Sequence, residues 1–282
     1  VATARPTCLY CGAALGRAPE SAPAAPPVTP RARARSLLVL DLGGADGALL
    51  RRALGLSTFD AQQWVRRGGY RLHRIVSSAE AEGEAERLSA SGLRVLRLAE
   101  AEVRAALPPR VAVGGAWNAG ALDARSSEDR ERVAPEDVRL VVKGPIARDR
   151  QAADDPKRVR TAAPEAGFRI HVHCRSEPRP WELDPEVIAL GPGAQRGALL
   201  ELTAWVQALS RGCPLDDAFR YLTPELAPAE PADVGPAVAA GALAPRTPPR
   251  RGAALLLDNV QQFRFYSAWR GAIERRGPPA RS

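Results

Sequence analysis

The chain has no methionine, and of its 40 basic residues only Lys143 and Lys157 are lysine. Four cysteines in 282 residues cannot staple a disulfide framework, and Cys174 and Cys213 belong to no spacing motif, which fits a reducing compartment. No apolar run approaches the roughly 18 residues of a membrane span, and the first residues lack the short apolar stretch of a secretory signal. The expectation is a cytoplasmic protein with no membrane span. Aromatic residues are 5% of the chain, while 26 prolines, alanine and arginine are plentiful; this bias is that of a GC-rich coding sequence and points to a bacterial source. A hydrophobic share of 45% and a charged share of 26% exclude collagen-like and wholly disordered classes. The length makes two domains the default.

The net charge of +8 invites a nucleic-acid partner, because clustered arginines release phosphate counterions on binding. Its distribution argues otherwise. Residues 1–36 carry an excess of +4 and residues 250–282 an excess of +5, which leaves the stretch between them at −1. The basic ends predict salt-sensitive attraction to any polyanion but no specific nucleic-acid surface.

Proline and glycine divide the chain. Residues 1–16 hold the pair Cys8 and Cys11, and 17–36 is too proline-rich for helix or sheet, so a disordered linker is expected there. A first α/β domain is expected over 37–105. It starts with the apolar strand Leu37–Leu42, followed by helices over 46–54 and 57–67, each stopped by glycine. A strand from Tyr70, a helix capped by Ser77-Ser78 with Glu80, Glu82 and Glu84 near its positive end, and a strand from Leu93 complete it. Residues 106–134 read as a connection. A second α+β domain is expected over 135–224, with strands at Leu140–Val142, Phe168–Cys174 and Trp181–Leu183 and an amphipathic helix over 195–210. Residues 225–252 read as a flexible linker. In 253–282, Val260, Phe263, Tyr266, Trp269 and Ile273 fall on one side of a helix expected to dock on the core.

The order strand-helix-helix-strand-helix-strand carries a resemblance. Gly55-Leu56, Ala61, Val65, a glycine-bounded strand, a serine-capped acidic helix with Ala81 and Ala85, and Gly92-Leu93-Arg94-Val95 together resemble the C-terminal domain of the bacterial large-ribosomal-subunit stalk protein, which shares its general fold with the substrate adaptor of the Clp protease. The resemblance implies a compact protein-interaction fold. In that family lysines on the first two helices contact translation GTPases; the matching positions here are Ala48 and Gln62, with Leu50-Arg51 retained, so that docking role is not implied. The 135–224 region is similar in outline to a pleckstrin-homology barrel closed by its helix. The expected class is therefore α+β, and the expected function is that of a non-catalytic adaptor for an unknown protein partner.

A rival function rests on Asp41-Leu42-Gly43-Gly44-Ala45-Asp46-Gly47. This stretch resembles the first motif of class I methyltransferases, in which glycines let the backbone approach S-adenosylmethionine at a helix N-terminus; Asp41, Gly43 and Gly47 would then bind the cofactor. The middle glycine is replaced by Ala45, and the second strand ends in Ser77-Ser78 where an acidic residue is needed for the ribose.

Cys8-x-x-Cys11-Gly12 resembles half a zinc ribbon, since two thiolates three residues apart can take adjacent corners of a tetrahedron. The remaining ligands would come from a partner chain or from His171 and His173, or the pair binds no metal. His171 and His173 alternate on one face of a strand and read as partly exposed, with Cys174 on the other face. The acidic pairs Glu182 with Asp184 and Asp216 with Asp217 suit acid–base chemistry as well as turns.

Overall fold

Leu37 to Leu40 form an apolar run that is completely buried, as expected of a strand covered on both faces. The computed structural model describes residues 34–106, 108–151, 165–190, 199–222 and 255–277. Cys8, Cys11, residues 17–33 and residues 225–252 lie outside the described residues, while Arg35 and Ser36, expected to end the linker, belong to the first strand. The apolar run is the centre of β1 (Arg35–Asp41), followed by α1 (Gly47–Leu54), α2 (Thr58–Arg67), β2 (Tyr70–Ser77), α3 (Ser78–Ala90) and β3 (Arg94–Ala99). Both β2 and β3 pair with β1 in antiparallel register, giving the sheet order β2-β1-β3.

Local chemistry sets these boundaries. Asp46 caps α1 by accepting the Leu49 N–H, and Ser57 caps α2 by accepting the Asp60 N–H, each satisfying one of the free donors of a first turn. Ser77 and Glu80 form a reciprocal capping box at the start of α3. Gly55 closes α1 at φ 67°, a left-handed conformation that glycine adopts without a Cβ clash.

A short α4 (Glu100–Arg104) leads into four strands, β4 (Arg110–Val111), β5 (Gly114–Asn118), β6 (Ala121–Arg125) and β7 (Arg130–Val133). This region, expected to be a connection, instead contributes most of a sheet. Ala119 and Gly120 both have positive φ, at 45° and 78°, and Asn118 pairs with Ala121 across them, so β5 and β6 are joined by a two-residue hairpin turn.

Next come β8 (Val138–Gln151), β9 (Glu165–Cys174), β10 (Trp181–Leu183), β11 (Ala189–Leu190), α5 (Leu199–Leu209), β12 (Leu215–Asp216), β13 (Leu255–Asp258) and α6 (Val260–Arg276). One sheet has the order β12-β8-β9-β10-β4, with β13 also on β8; another has the order β11-β5-β6-β7. The pairs β10 with β4, β12 with β8, and β11 with β5 are parallel, which sets this region apart from an all-antiparallel barrel closed by a helix. β8, expected only over Leu140–Val142, runs on through Gly144-Pro145. On its outer edge β12 pairs with Val141 and Val142 and β13 with Arg148 to Gln151, so Pro145 falls between the two partners, where its missing N–H breaks no ladder. Gly144 is required by packing, since a Cβ there would lie 2.5 Å from both Phe219 and Phe263.

The architecture is α+β, and the described residues from Arg35 onward belong to one compact unit. The two separately expected domains share a core. Leu37, Val39, Leu72 and Leu98 of the first sheet pack in one cluster with Leu140, Val142 and Ile146 of β8 and with Phe263, Tyr266, Trp269 and Ile273 of α6. Helix α6 thus lies between the sheets, with its aromatic face buried as expected. The opposite face of β1 packs on α1, α2 and α3 through Leu40, Leu50, Ala61 and Leu88. Beyond β8–β10, a third cluster joins Val141, Ile170, Val172, Cys174 and Trp181 to Leu122 and to Leu202, Trp205 and Leu209 of α5. Among the described residues no helix is long and apolar enough to cross a membrane.

Candidate functional site

The two faces of β9 meet different neighbours. Ile170, Val172 and Cys174 face the α5 side of the core, while Arg169, His171 and His173 alternate with them and are buried. The histidines are therefore not partly exposed: α6 covers them. The Ser267 hydroxyl lies 2.8 Å from His171 Nδ1 and 2.8 Å from His173 Nε2. His171 Nε2 lies 3.1 Å from Glu182 Oε2, placed by β10 beside β9 in the register Glu182 to His171. Gly271 makes the close approach possible, because a Cβ there would come within 2.6 Å of His173 Cε1.

Glu182 is completely buried and saturated with donors. Arg264 Nε and Nη2 donate to its two oxygens at 2.8 and 3.0 Å, Arg169 donates to Oε1, and Arg169 Nη2 also reaches Asp184 Oδ2 at 2.6 Å. Burial alone would raise the Glu182 pKa, but the bonds from His171 and Arg264 outweigh it and hold the carboxyl far below the usual range. Burial lowers the pKa of His171 despite the neighbouring carboxylate, and lowers that of His173 further, helped by the charges of Arg275, Arg270 and Arg139. Both imidazoles are neutral. With Glu182 ionised, His171 Nε2 carries the proton, Nδ1 accepts from Ser267, and Ser267 accepts from His173 Nε2–H. The result is a directional chain from His173 through Ser267 and His171 to Glu182.

The constellation has the residue types of a hydrolytic triad but not the access. Ser267 and Glu182 have no exposed surface and His171 has 1%, so a substrate cannot reach the hydroxyl. The network is a polar core that fixes α6 on the sheet. A second buried set supports it: Asp216 accepts from Tyr266 Oη at 2.8 Å and from Arg270, while Asp216 Oδ1 also accepts the Ala218 N–H at 2.9 Å. Glu182, Asp184 and Asp216 are thus ion-paired structural groups, whereas Asp217 pairs with Arg220 at the surface. Burial pushes the Cys174 thiol up to about 12, which makes it unreactive.

The loop Asp41–Gly47 sits differently from a cofactor loop. Asp41 Oδ1 accepts the Gly43 N–H at 2.9 Å and Oδ2 pairs with Arg94 at 3.1 Å, Gly44 turns at φ 89°, and Gly47 opens α1. Among the described residues both neighbours of β1 are antiparallel to it, so the loop does not stand at a parallel switch point, where nucleotide cofactors lie in doubly wound folds. Asp41, Gly43 and Gly47 thus lie outside the parallel-sheet setting in which the methyltransferase motif holds its cofactor. Among the described residues no group of His, Cys, Asp and Glu is arranged to hold a metal ion.

Sequence reasoning singled out His171, His173, Glu182, Asp184 and Asp216 but missed Arg169, Arg264, Ser267 and Arg270. The available signal was Arg264, Ser267 and Gly271 at i, i+3 and i+7, a polar and small stripe down an otherwise aromatic helix.

The open recognition chemistry lies elsewhere, between α2, the start of β2 and the turn at 218–221. There a cleft is lined by Trp64, Arg67, Tyr70, Arg71, Tyr221 and Tyr266 among others. Phe59, on the outer side of α2, is 68% exposed. Compared with protein-family models, curated proteins and solved structures, the chain finds no match.

Proposed function

We propose that the chain is a non-catalytic adaptor that binds another polypeptide through the α2 side of the molecule. The observation that carries this is a division of chemistry: the only Ser, His and Glu constellation among the described residues is sealed inside the core, while large side chains suited to recognition lie open around α2. An exposed phenylalanine, on a helix that ends in Arg66 and Arg67, is the kind of side chain that anchors protein contacts. The element order of the first sheet, on which the resemblance to an interaction domain rests, supports the same function. A bacterial cytoplasm is the setting that composition favours.

Photo-cross-linking from position 59, identification of the adduct, and reconstitution with the purified partner test the proposal. Saturable binding that is lost in Phe59→Asp is expected. Micromolar binding of S-adenosylmethionine in calorimetry, abolished by Asp41→Ala, would overturn it in favour of the methyltransferase.

A further inference from the structure

Arg67 and Arg71 flank the cleft in an uncommon state. The Arg67 guanidinium lies 3.7 Å from the centre of the Tyr221 ring, and that of Arg71 lies 3.8 Å from the centre of the Trp64 ring. Stacking occupies the face of each guanidinium and leaves the N–H donors at its edge free. Some surface arginines meet acids: Arg94 pairs with Asp41, Arg87 with Glu84 and Arg276 with Glu102. Among the described residues no carboxylate pairs with Arg67 or Arg71. The two are also near enough that the charge of Arg67 adds to burial in lowering the Arg71 pKa. Two like charges held on an aromatic floor with unused donors are a site awaiting an anion.

The size and surface of the cleft narrow the anion. Its volume of about 40 Å³ holds a few waters or one small anionic head group. The Arg67 and Arg71 guanidiniums each cover one face of Tyr221 and Trp64, and a carboxylate matches the planar N–H fork that each presents. We propose that the cleft seats one carboxylate of an acidic segment in the partner polypeptide, held by the edges of Arg67 and Arg71, with an apolar side chain three or four residues along that segment meeting Phe59. Arg67 and Phe59 are eight residues apart on α2, about 12 Å along the axis, a span that a short extended peptide covers. This assignment rests on the adaptor function proposed above and specifies the partner's charge.

Fluorescence anisotropy of the full chain with a labelled peptide of alternating Glu and Leu, against the same peptide with Gln in place of Glu, tests it. The Glu peptide should bind about tenfold or more tightly than the Gln peptide, and Arg67→Gln or Arg71→Gln should remove about that factor, as should Arg71→Lys, which keeps the charge but loses the fork. Arg51→Gln, an exposed change on α1 away from the cleft, should leave binding unchanged. Arg67 is exposed, so its variant retains the fold even where Arg71 variants do not. Equal binding of both peptides, equal loss in Arg51→Gln, or tighter binding of inorganic phosphate than of the Glu peptide would each overturn the assignment. If cleft variants bind like the wild type while the cross-link from position 59 persists, the anion site falls and the adaptor function stands; if the cross-link is absent too, both fall.

Discussion

His173 Nε2 lies 2.8 Å from the hydroxyl of Ser267, across the interface between β9 and α6. The same hydroxyl serves His171, so one serine on the last helix satisfies two imidazoles on a strand more than 90 residues earlier. A buried imidazole left without a partner keeps its desolvation cost and gains nothing in return. The serine therefore ties the end of the described chain to its centre.

Ser267→Ala should destabilise the protein by about 1–3 kcal/mol, the usual cost of leaving a buried donor or acceptor unmet. Urea unfolding followed by circular dichroism measures it. Ser267→Thr keeps the hydroxyl but adds a methyl to a fully buried position, so it should restore only part of the loss. A change within error for Ser267→Ala would show that water or a neighbouring group takes over both histidines.

Stability should also fall on mild acidification. The folded pKa values of His171 and His173 lie below the ordinary 6.5, so between the folded and unfolded values the unfolded chain binds more protons. The stability these neutral imidazoles support is complete above about pH 6.5 and declines as pH falls below it. A protonated His173 would face the cations Arg139, Arg270 and Arg275, and a protonated His171 would face Arg169 and Arg264 beside the Glu182 carboxylate. Denaturation midpoints from pH 8 to pH 5 should drop, and the drop should be smaller in His173→Gln. An unchanged slope in that variant would place the titration elsewhere.

The first sheet was readable because local signals agreed with it. Asp46, Ser57 and Ser77 at helix starts, Gly55 and Gly68 at helix ends, and an apolar run at β1 all specify their elements without distant help. The β5–β7 strands were not, because Gly114-Gly115-Ala116, Ala121-Leu122-Asp123 and Arg130-Glu131-Arg132 carry little intrinsic strand preference and are stabilised by cross-strand pairing. The polar network was hidden for a different reason. Alternation of polar Arg169, His171 and His173 with apolar Ile170 and Val172 ordinarily signals a strand with one face in water. Here α6 replaces the water, and nothing within β9 announces a helix that follows roughly a hundred residues later.

The sequence-based expectation at Cys8 and Cys11 makes its own prediction. Two thiolates fill half of a tetrahedral site, so zinc shared between two chains should give one ion per dimer in elemental analysis and a concentration-dependent mass in light scattering. Cys8→Ala should abolish both. A metal-free wild type that is unaffected by Cys8→Ala would reject the zinc knuckle.

Gly271→Ala should disturb the helix–sheet contact although alanine favours helix. The new Cβ would sit 2.6 Å from His173 Cε1 and 2.7 Å from Nδ1, forcing the ring or α6 to move. A net loss of about 1–3 kcal/mol is expected for such overpacking. In a His173→Ala background the space is vacant, so there Gly271→Ala should be neutral or stabilising. Equal penalties in both backgrounds would mean that the clash is not with His173.

Glu182 should be the least replaceable acid among the described residues. It takes donors from Arg169, His171 and Arg264, and its removal leaves a guanidinium that is 8% exposed beside a second that is 26% exposed. Breaking such a buried pair from one side typically costs about 3–5 kcal/mol, since the remaining charge loses its partner without regaining water. Glu182→Ala should therefore cost that much in urea unfolding. Glu182→Gln, which keeps the shape and one acceptor oxygen, should cost less but still more than Asp217→Asn, because Asp217 and Arg220 stand in solvent, where pairing contributes little. Arg169 also pairs with Asp184 at 2.6 Å, a partner that none of these substitutions removes, so the additional loss in Glu182→Ala should chiefly reflect what Arg264 and His171 draw from the carboxylate. A Glu182→Ala protein as stable as Asp217→Asn would show that α6 is held by its aromatic face alone.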